Sequence, residues 1–179
     1  MEFTQILKER RSIRHYAPGR KVDRELVEQM IEAAICAPSW KNSQTSRYHV
    51  VMSEEMVAAV KEKCLPEFNS RNAQNAPVLI VTTFEKDNSG YNTDGTPTNE
   101  LGNGWGIYDL GLHDENLILK ARDLGLDTLI MGIRDIDKLR ELLNIGENEV
   151  IVSVIAVGYT EERPTMPKRK AVEEIAKFY

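Results

Sequence analysis

The sequence predicts an α+β fold, a central sheet flanked by helices, and three observations carry that prediction. Two stretches of helical period precede the first strand-like run, and helices and strands interleave only after it. Residues 78–83, Val-Leu-Ile-Val-Thr-Thr, form a continuous apolar, β-branched run of the kind found in a strand covered on both faces. The early clustering of helices favours this class over a doubly wound nucleotide fold. No internal repeat or interdomain linker is visible, so the 179 residues are read as one domain, 1–179.

Each element follows from local pattern. Phe3, Ile6 and Leu7 stand at helical spacing over residues 3–10. A stronger helix follows, with Asp23 as its N-cap, Glu25 in its first turn, and Leu26, Val27, Met30, Ile31, Ala34 and Ile35 at helix period. Pro38 stops it. A short strand over 48–52 leads to Ser53, which caps a third helix carrying Met56, Val57 and Val60. A brief polar helix is expected over 68–75, and Pro77 then opens the buried strand. From 86 to 106 the chain turns rich in Asn and Gly, a length of loop that is usually functional or disordered. A long helix is predicted over 109–124, with Leu110, Leu117, Ile118, Ala121 and Leu124 on one stripe and Gly125 at its end. A strand over 128–133, a helix capped by Asp135, and a strand over 150–158 complete the core. The tail from Thr160 carries a basic cluster and a short amphipathic stretch, 172–178.

Composition narrows the function classes. The chain is 41% hydrophobic and 28% charged, with a formal net charge of −5, which argues against a nucleic-acid partner. No apolar run approaches the roughly 20 residues that a bilayer requires. The first residues carry an early acid and no apolar core, so no secretory signal is read and a cytoplasmic protein is expected. Cys36 and Cys64 fall in helix-like stretches without a C-x-x-C pair and are read as free buried thiols.

Three polar clusters stand out. Arg10-Arg11-Ser12-Ile13-Arg14 follows the first helix; cations there complement the helix dipole, but positive charge this concentrated beside a hydroxyl also suits a phosphate. Pro38-Ser39-Trp40-Lys41-Asn42-Ser43-Gln44 reads on composition as a helix stop and polar turn. Its amides and hydroxyls could equally recognise a planar heterocycle. Lys168-Arg169-Lys170 alone reads as a solvated tail, yet two tight basic groups do not follow from an acidic chain. Residues 102–106 do not fit G-x-G-x-x-G, and His15, His49 and His113 lack metal-ligand spacing, with His49 read as structural. No Walker loop, H-E-x-x-H or nucleophile elbow is present.

In this order and at these separations, the segments resemble the nitroreductase family of FMN-dependent oxidoreductases. Arg-Arg-Ser-Ile-Arg-His-Tyr at 10–16 looks like the family's first flavin-binding segment, and 37–44 looks like its second. Phe68-Asn69-Ser70-Arg71-Asn72, ahead of Ala76-Pro77, is similar to the segment that reaches the flavin ring and ribityl chain. Glu115-Asn116-Leu117 and Gly125-Leu126 look like its core helix and following strand, and Pro167-Lys168-Arg169 resembles its late phosphate contact. The likeness covers nearly the whole chain apart from about 86–106.

The resemblance implies a nitroreductase-like fold with a mostly antiparallel sheet and an intertwined homodimer that exchanges terminal arms. It implies that Arg10, Ser12 and Arg14, with Arg11 beside them, bind the phosphate and ribityl groups of FMN, and that Arg169, helped by Lys168, adds a second cation. Pro38, Ser39, Asn42 and Gln44 match positions that line the flavin ring from the opposite subunit. Asn69 and Asn72 match a contact pair, the second of which is often basic in relatives. Met131 and Gly132 match a backbone contact near the ring. The implied activity is ping-pong: NAD(P)H delivers its electrons and leaves, and an electron-poor acceptor such as a nitroaromatic or quinone takes its place, with no catalytic side chain named. A flavin carrier or sensor without turnover, and a nucleotide-phosphate binder without flavin, stand as alternatives. Many relatives are longer, with inserted helices over the flavin face. In this chain that role would fall to 86–106, where Tyr91, Trp105 and Tyr108 are available. Either Trp105 or Tyr108 is expected to shape the acceptor pocket, unless these rings only anchor the loop.

Overall fold

A computed structural model describes residues 2–179. Four strands, β1 (Ser46–Val51), β2 (Val78–Glu85), β3 (Asp127–Met131) and β4 (Glu149–Gly158), form one sheet in the order β1-β2-β4-β3. All three pairings are antiparallel. The apolar run 78–83 is the central β2, and Val78 to Phe84 are all buried, as a strand covered on both faces demands. Its alternate side chains divide between two cores. Val78 and Ile80 pack with Val27, Met30 and Ala34 of α2 (Arg24–Ala34) and with Leu117, Ile118 and Ala121 of α5 (Gly104–Asp123). Leu79 and Val81 pack on the other face with Val57 and Val60 of α3 (Glu54–Cys64) and Leu139 of α6 (Ile136–Leu143). Each such fully buried aliphatic group contributes about 1.5–3 kcal/mol. Two short helices, α1 (Phe3–Glu9) and α4 (Glu67–Asn72), flank the layers, and α7 (Val172–Ile175) lies far along the tail. No helix among the described residues is long and apolar enough to cross a membrane.

Several expectations shift on contact with the structure. The long helix begins at Gly104, inside the stretch read as loop, rather than near Asp109. Packing overrides the weak propensity of glycine there. A Cβ on Gly106 would sit 2.2 Å from Phe84 Cδ2, so the helix can approach β2 only without a side chain at that position. Asp23 stands at the N-cap of α2 with extended dihedrals, but its side chain caps nothing, whereas Ser53 and Asp135 do accept from Met56 and Lys138. Gly125 ends α5 with φ +79°, the left-handed geometry that such a terminus favours. Cys64 is buried, but Cys36 is exposed, against the reading of two buried thiols, because it lies past the last buried position of α2, Ala34. The predicted amphipathic stretch 172–178 is helical only over Val172–Ile175 and is exposed.

Candidate functional site

The first cluster is placed by the edge of β3. Ser12 forms a parallel bridge with Thr128, and the Ile13 amide donates to the Thr128 carbonyl at 3.0 Å. Buried Ile13 pins this segment to the core, leaving Ser12 and Arg14 exposed on either side of it. Arg10 and Arg11 are half-buried; Arg11 donates to the Arg10 carbonyl, and its Nε is buried without a partner. Among the described residues no carboxylate pairs with Arg10, Arg11 or Arg14, while Arg24, Arg47, Arg122, Arg140 and Arg163 each have one. Cations left unneutralised in an acidic chain fit an anionic ligand.

The end of the same strand gathers the next residues. Met131 closes β3 and is buried, and Gly132 follows, exposed. Buried Asn69, on α4, donates to the Ile133 carbonyl at 2.9 Å, and Arg134 donates to the Gly132 carbonyl at 2.8 Å. Asn72 is half-buried at the last turn of α4. The structure thus brings Arg10, Arg11, Ser12, Arg14, Asn69, Met131 and Gly132 around β3, with Asn72 three residues beyond Asn69 on α4.

Residues 38–44 lie elsewhere. They lead into β1, the opposite edge of the sheet, three strand spacings or about 14 Å from β3. A single 3-10 turn at Trp40–Asn42 is followed by β1, and Lys41, Asn42 and Gln44 all take positive φ, at 47°, 57° and 51°. Three non-glycine residues in left-handed geometry within four positions is stored strain, the kind that persists where surroundings over-determine the backbone. Those surroundings are visible. Ser39 Oγ accepts from the Gln44 amide at 3.0 Å, Arg47 donates to the Gln44 carbonyl at 2.7 Å, and Asp109 Oδ2 accepts from the Trp40 amide at 2.9 Å. Pro38, Asn42 and Gln44 are exposed and Ser39 half-buried, so the turn presents its polar groups outward.

Asp109 also fixes the loop 86–106. Its Oδ2 accepts from Ser89 Oγ at 2.5 Å, so one buried carboxylate joins turn, loop and helix. Asp87 and Asn103 close the loop reciprocally, with the Asp87 amide donating to Asn103 Oδ1 and Asn103 Nδ2 donating to Asp87 Oδ1. Trp105 packs 4.6 Å from Trp40 and 5.8 Å from Tyr108, ring centre to ring centre, and its Nε1 donates to Asn99. Tyr108 is 59% exposed. Sequence reasoning missed Asp109, since an Asp near a helix start reads as a surface acid.

Lys168 and Arg169 lie on the exposed tail, and the Arg169 guanidinium bonds only its own chain's Pro167 carbonyl. Among the described residues, no hydrogen bond or ion pair links them to the first cluster. The tail's root is tied down: Arg163 donates to both Asp127 oxygens at 2.8 Å, and Arg122 links Asp127 to Glu9. Beyond it Met166, Val172, Ile175 and Phe178 are exposed.

Comparison with known proteins places this arrangement. A family model described as the Nitroreductase family matches residues 7–77 and 66–159. A protein of Archaeoglobus fulgidus, provisionally named an NADH dehydrogenase/NAD(P)H nitroreductase, is 32% identical over 170 residues, covering 90% of this chain and 87% of its own. The crystal structure of a nitroreductase family protein from Streptococcus pneumoniae superposes with a TM-score of 0.85 at 24% identity, covering 99% of this chain and 100% of that one. A structure from Exiguobacterium sibiricum, provisionally named a nitroreductase and solved in complex with FMN, has a TM-score of 0.82 at 24% identity, covering 100% of this chain and 98% of that one.

Proposed function

Because this chain belongs to the nitroreductase family, we propose that it is an FMN-dependent oxidoreductase that uses NAD(P)H to reduce an electron-poor acceptor such as a nitroaromatic or quinone. The observation that carries the reading is the unpaired cationic segment Arg10, Arg11 and Arg14 held along the edge of β3, beside Asn69, Met131 and Gly132. Arg10, Ser12 and Arg14 would hold the FMN phosphate and ribityl hydroxyls, each charge-assisted bond contributing about 1.5–3 kcal/mol. Arg169, with Lys168, would add a second cation. FMN, when bound, supplies the hydride chemistry, and the protein binds it, orients it and excludes bulk water.

The placement of the ring-lining turn supports a site shared between two copies. Within one chain, Pro38, Ser39, Asn42 and Gln44 stand at the sheet edge opposite the cationic segment. A paired molecule would set one chain's turn against the other chain's β3 edge. The exposed tail, with Lys168, Arg169 and its apolar side chains, would cross to the same neighbour. The outer edge of β1 pairs with no strand in one chain, and a groove of about 550 Å³ lined by Val27, Ile31, Val50, Met56 and Leu143 runs beside it, which suits an apolar arm. In the first turn of α5, Trp105 is committed to Trp40 and Asn99, so exposed Tyr108 is the ring that would face an acceptor.

The test is direct. The purified protein should be yellow, should release FMN by mass, and should oxidise NADH or NADPH with menadione or nitrofurazone in ping-pong fashion. FAD in place of FMN, or bound flavin that neither nucleotide reduces, would sink the reading.

A further inference from the structure

Helix α5 lays a buried stripe against the sheet: Gly106 on Phe84, then Leu110, Asp114, Leu117 and Ala121. Asp114 is the one carboxylate in that stripe, at 7% exposure. Tyr48, Thr82 and Ser153 form a row of hydroxyls beneath it across β1, β2 and β4, since Tyr48 pairs with Thr82 and Thr82 with Ser153, whose oxygens lie 2.8 Å apart. Ser46 stands two residues before Tyr48 on the same face and leads back to the 38–44 turn. Asp114 Oδ1 and the Tyr48 hydroxyl are both buried and make no well-formed hydrogen bond, although the Tyr48 and Thr82 hydroxyls lie close enough to the carboxyl to favour its ionised form. Ser46 Oγ, Thr45 Oγ1, Ser43 Oγ and Trp40 Nε1 are likewise buried and make none. These make six of the nine such atoms among the described residues, and five of the six fall within residues 40–48. Buried polar groups of this kind call for internal water.

Among the described residues, no cation pairs with the acid. From β1 it meets only Tyr48, because Arg47 and His49 serve Glu85 and Glu149. Thr82 and Ser153 are neutral, α2 turns Val27, Met30 and Ala34 inward, and Lys41 of the 3-10 turn is exposed. On its own helix, His113 bonds the Asp109 carbonyl and Asp109 serves Trp40 and Ser89. Burial therefore pushes the Asp114 carboxyl up to about 7, with the Thr82 and Tyr48 hydroxyls acting in the opposite direction.

Reduction of an acceptor by two electrons adds a hydride and a proton. The hydride equivalent comes from NAD(P)H, but the ring-lining turn offers only Lys41 as an ionisable side chain. We propose that Asp114 is the internal proton store for acceptor reduction, discharging through Tyr48, Ser46 and internal water toward the 38–44 turn. This rests on the oxidoreductase reading above. The Asp114 O–H bond breaks, an O–H or N–H bond forms on the reduced acceptor, and the carboxylate left behind is reprotonated from solvent. Perturbed buried acids of this kind recur at functional sites.

The test uses the FMN-loaded protein. Infrared difference spectra between pH 5 and 9 should show one protonated-carboxyl band that titrates near pH 7 and is absent in Asp114→Asn. Pre-reduced enzyme mixed with menadione should reoxidise at a rate that falls as pH rises through 7. In Asp114→Asn that rate should drop at least about tenfold at pH 6.5 and lose its pH dependence, with FMN content unchanged. Tyr48→Phe should slow reoxidation while keeping the infrared band. A titrating band that survives Asp114→Asn, or a variant with the parental rate and pH profile, overturns the proposal. Should Asp114→Asn not fold, parental reoxidation rates in both Tyr48→Phe and Ser46→Ala overturn it. A wild-type protein that never turns over NAD(P)H sinks both readings, and is recognised before any variant is compared.

Discussion

Single side chains here separate binding from stability. Arg10 and Arg169 are assigned to the phosphate, a group that riboflavin lacks. The double substitution Arg10→Ala with Arg169→Ala should therefore weaken FMN far more than riboflavin in equilibrium titrations; equal losses would remove the phosphate assignment. Asp114 carries the opposite kind of cost. Its ordinary value of 3.8 is raised to about 7 in the folded chain, so between those values the folded state keeps a proton that the unfolded state has released. The contribution of this one group to stability is thus greatest below pH 4, declines as pH climbs to 7, and is flat above, a total of about 4 kcal/mol at most. Asp114→Asn cannot ionise. It should match the wild type at pH 4 in urea titrations and exceed it at pH 8, less whatever seating an amide costs. A stability difference between variant and wild type that does not grow in the variant's favour from pH 4 to pH 8 would contradict the burial argument.

At the scale of elements, legibility tracked how many signals agreed. The run at 78–83 was readable because its residues are both β-branched and apolar, and β2 is buried along its length. The helices capped by Ser53 and Asp135 carried a capping residue as well as a period, and both caps form. The start of α5 was hidden, because Gly104 and Gly106 look like loop residues until Phe84 is seen against the helix. Gly106→Ala should therefore cost about 1–3 kcal/mol in chemical denaturation, the range for overpacking, although alanine is the better helix former. An unchanged midpoint would mean that Phe84 yields freely. Arg10 to Arg14 stood out in the sequence by charge, and Pro38 to Gln44 by order relative to them. The strain at Lys41, Asn42 and Gln44 leaves no mark in composition, and the carboxylate of Asp109 beneath it could not be read because it meets Trp40 across 69 residues.

For the whole molecule, the tail is the element without a place in its own chain. Its root is fixed by Arg163 on Asp127, while Met166, Val172, Ile175 and Phe178 face outward. Ending the chain after residue 164 should give monomers by light scattering and lose flavin together with assembly. A truncated dimer that stays yellow would separate the arm from the site. The opposite-edge placement of the two polar segments has a genetic corollary. On the proposed shared site, a chain crippled at Arg10 and Arg14 and a chain crippled at Asn42 and Gln44 should each be inert alone, yet each retains what the other has lost. Co-expressed, they should reassort so that hybrid molecules regain one working centre, restoring roughly a quarter of parental turnover if pairing is random. Two damaged alleles would then rescue one another, which no centre confined to one polypeptide allows.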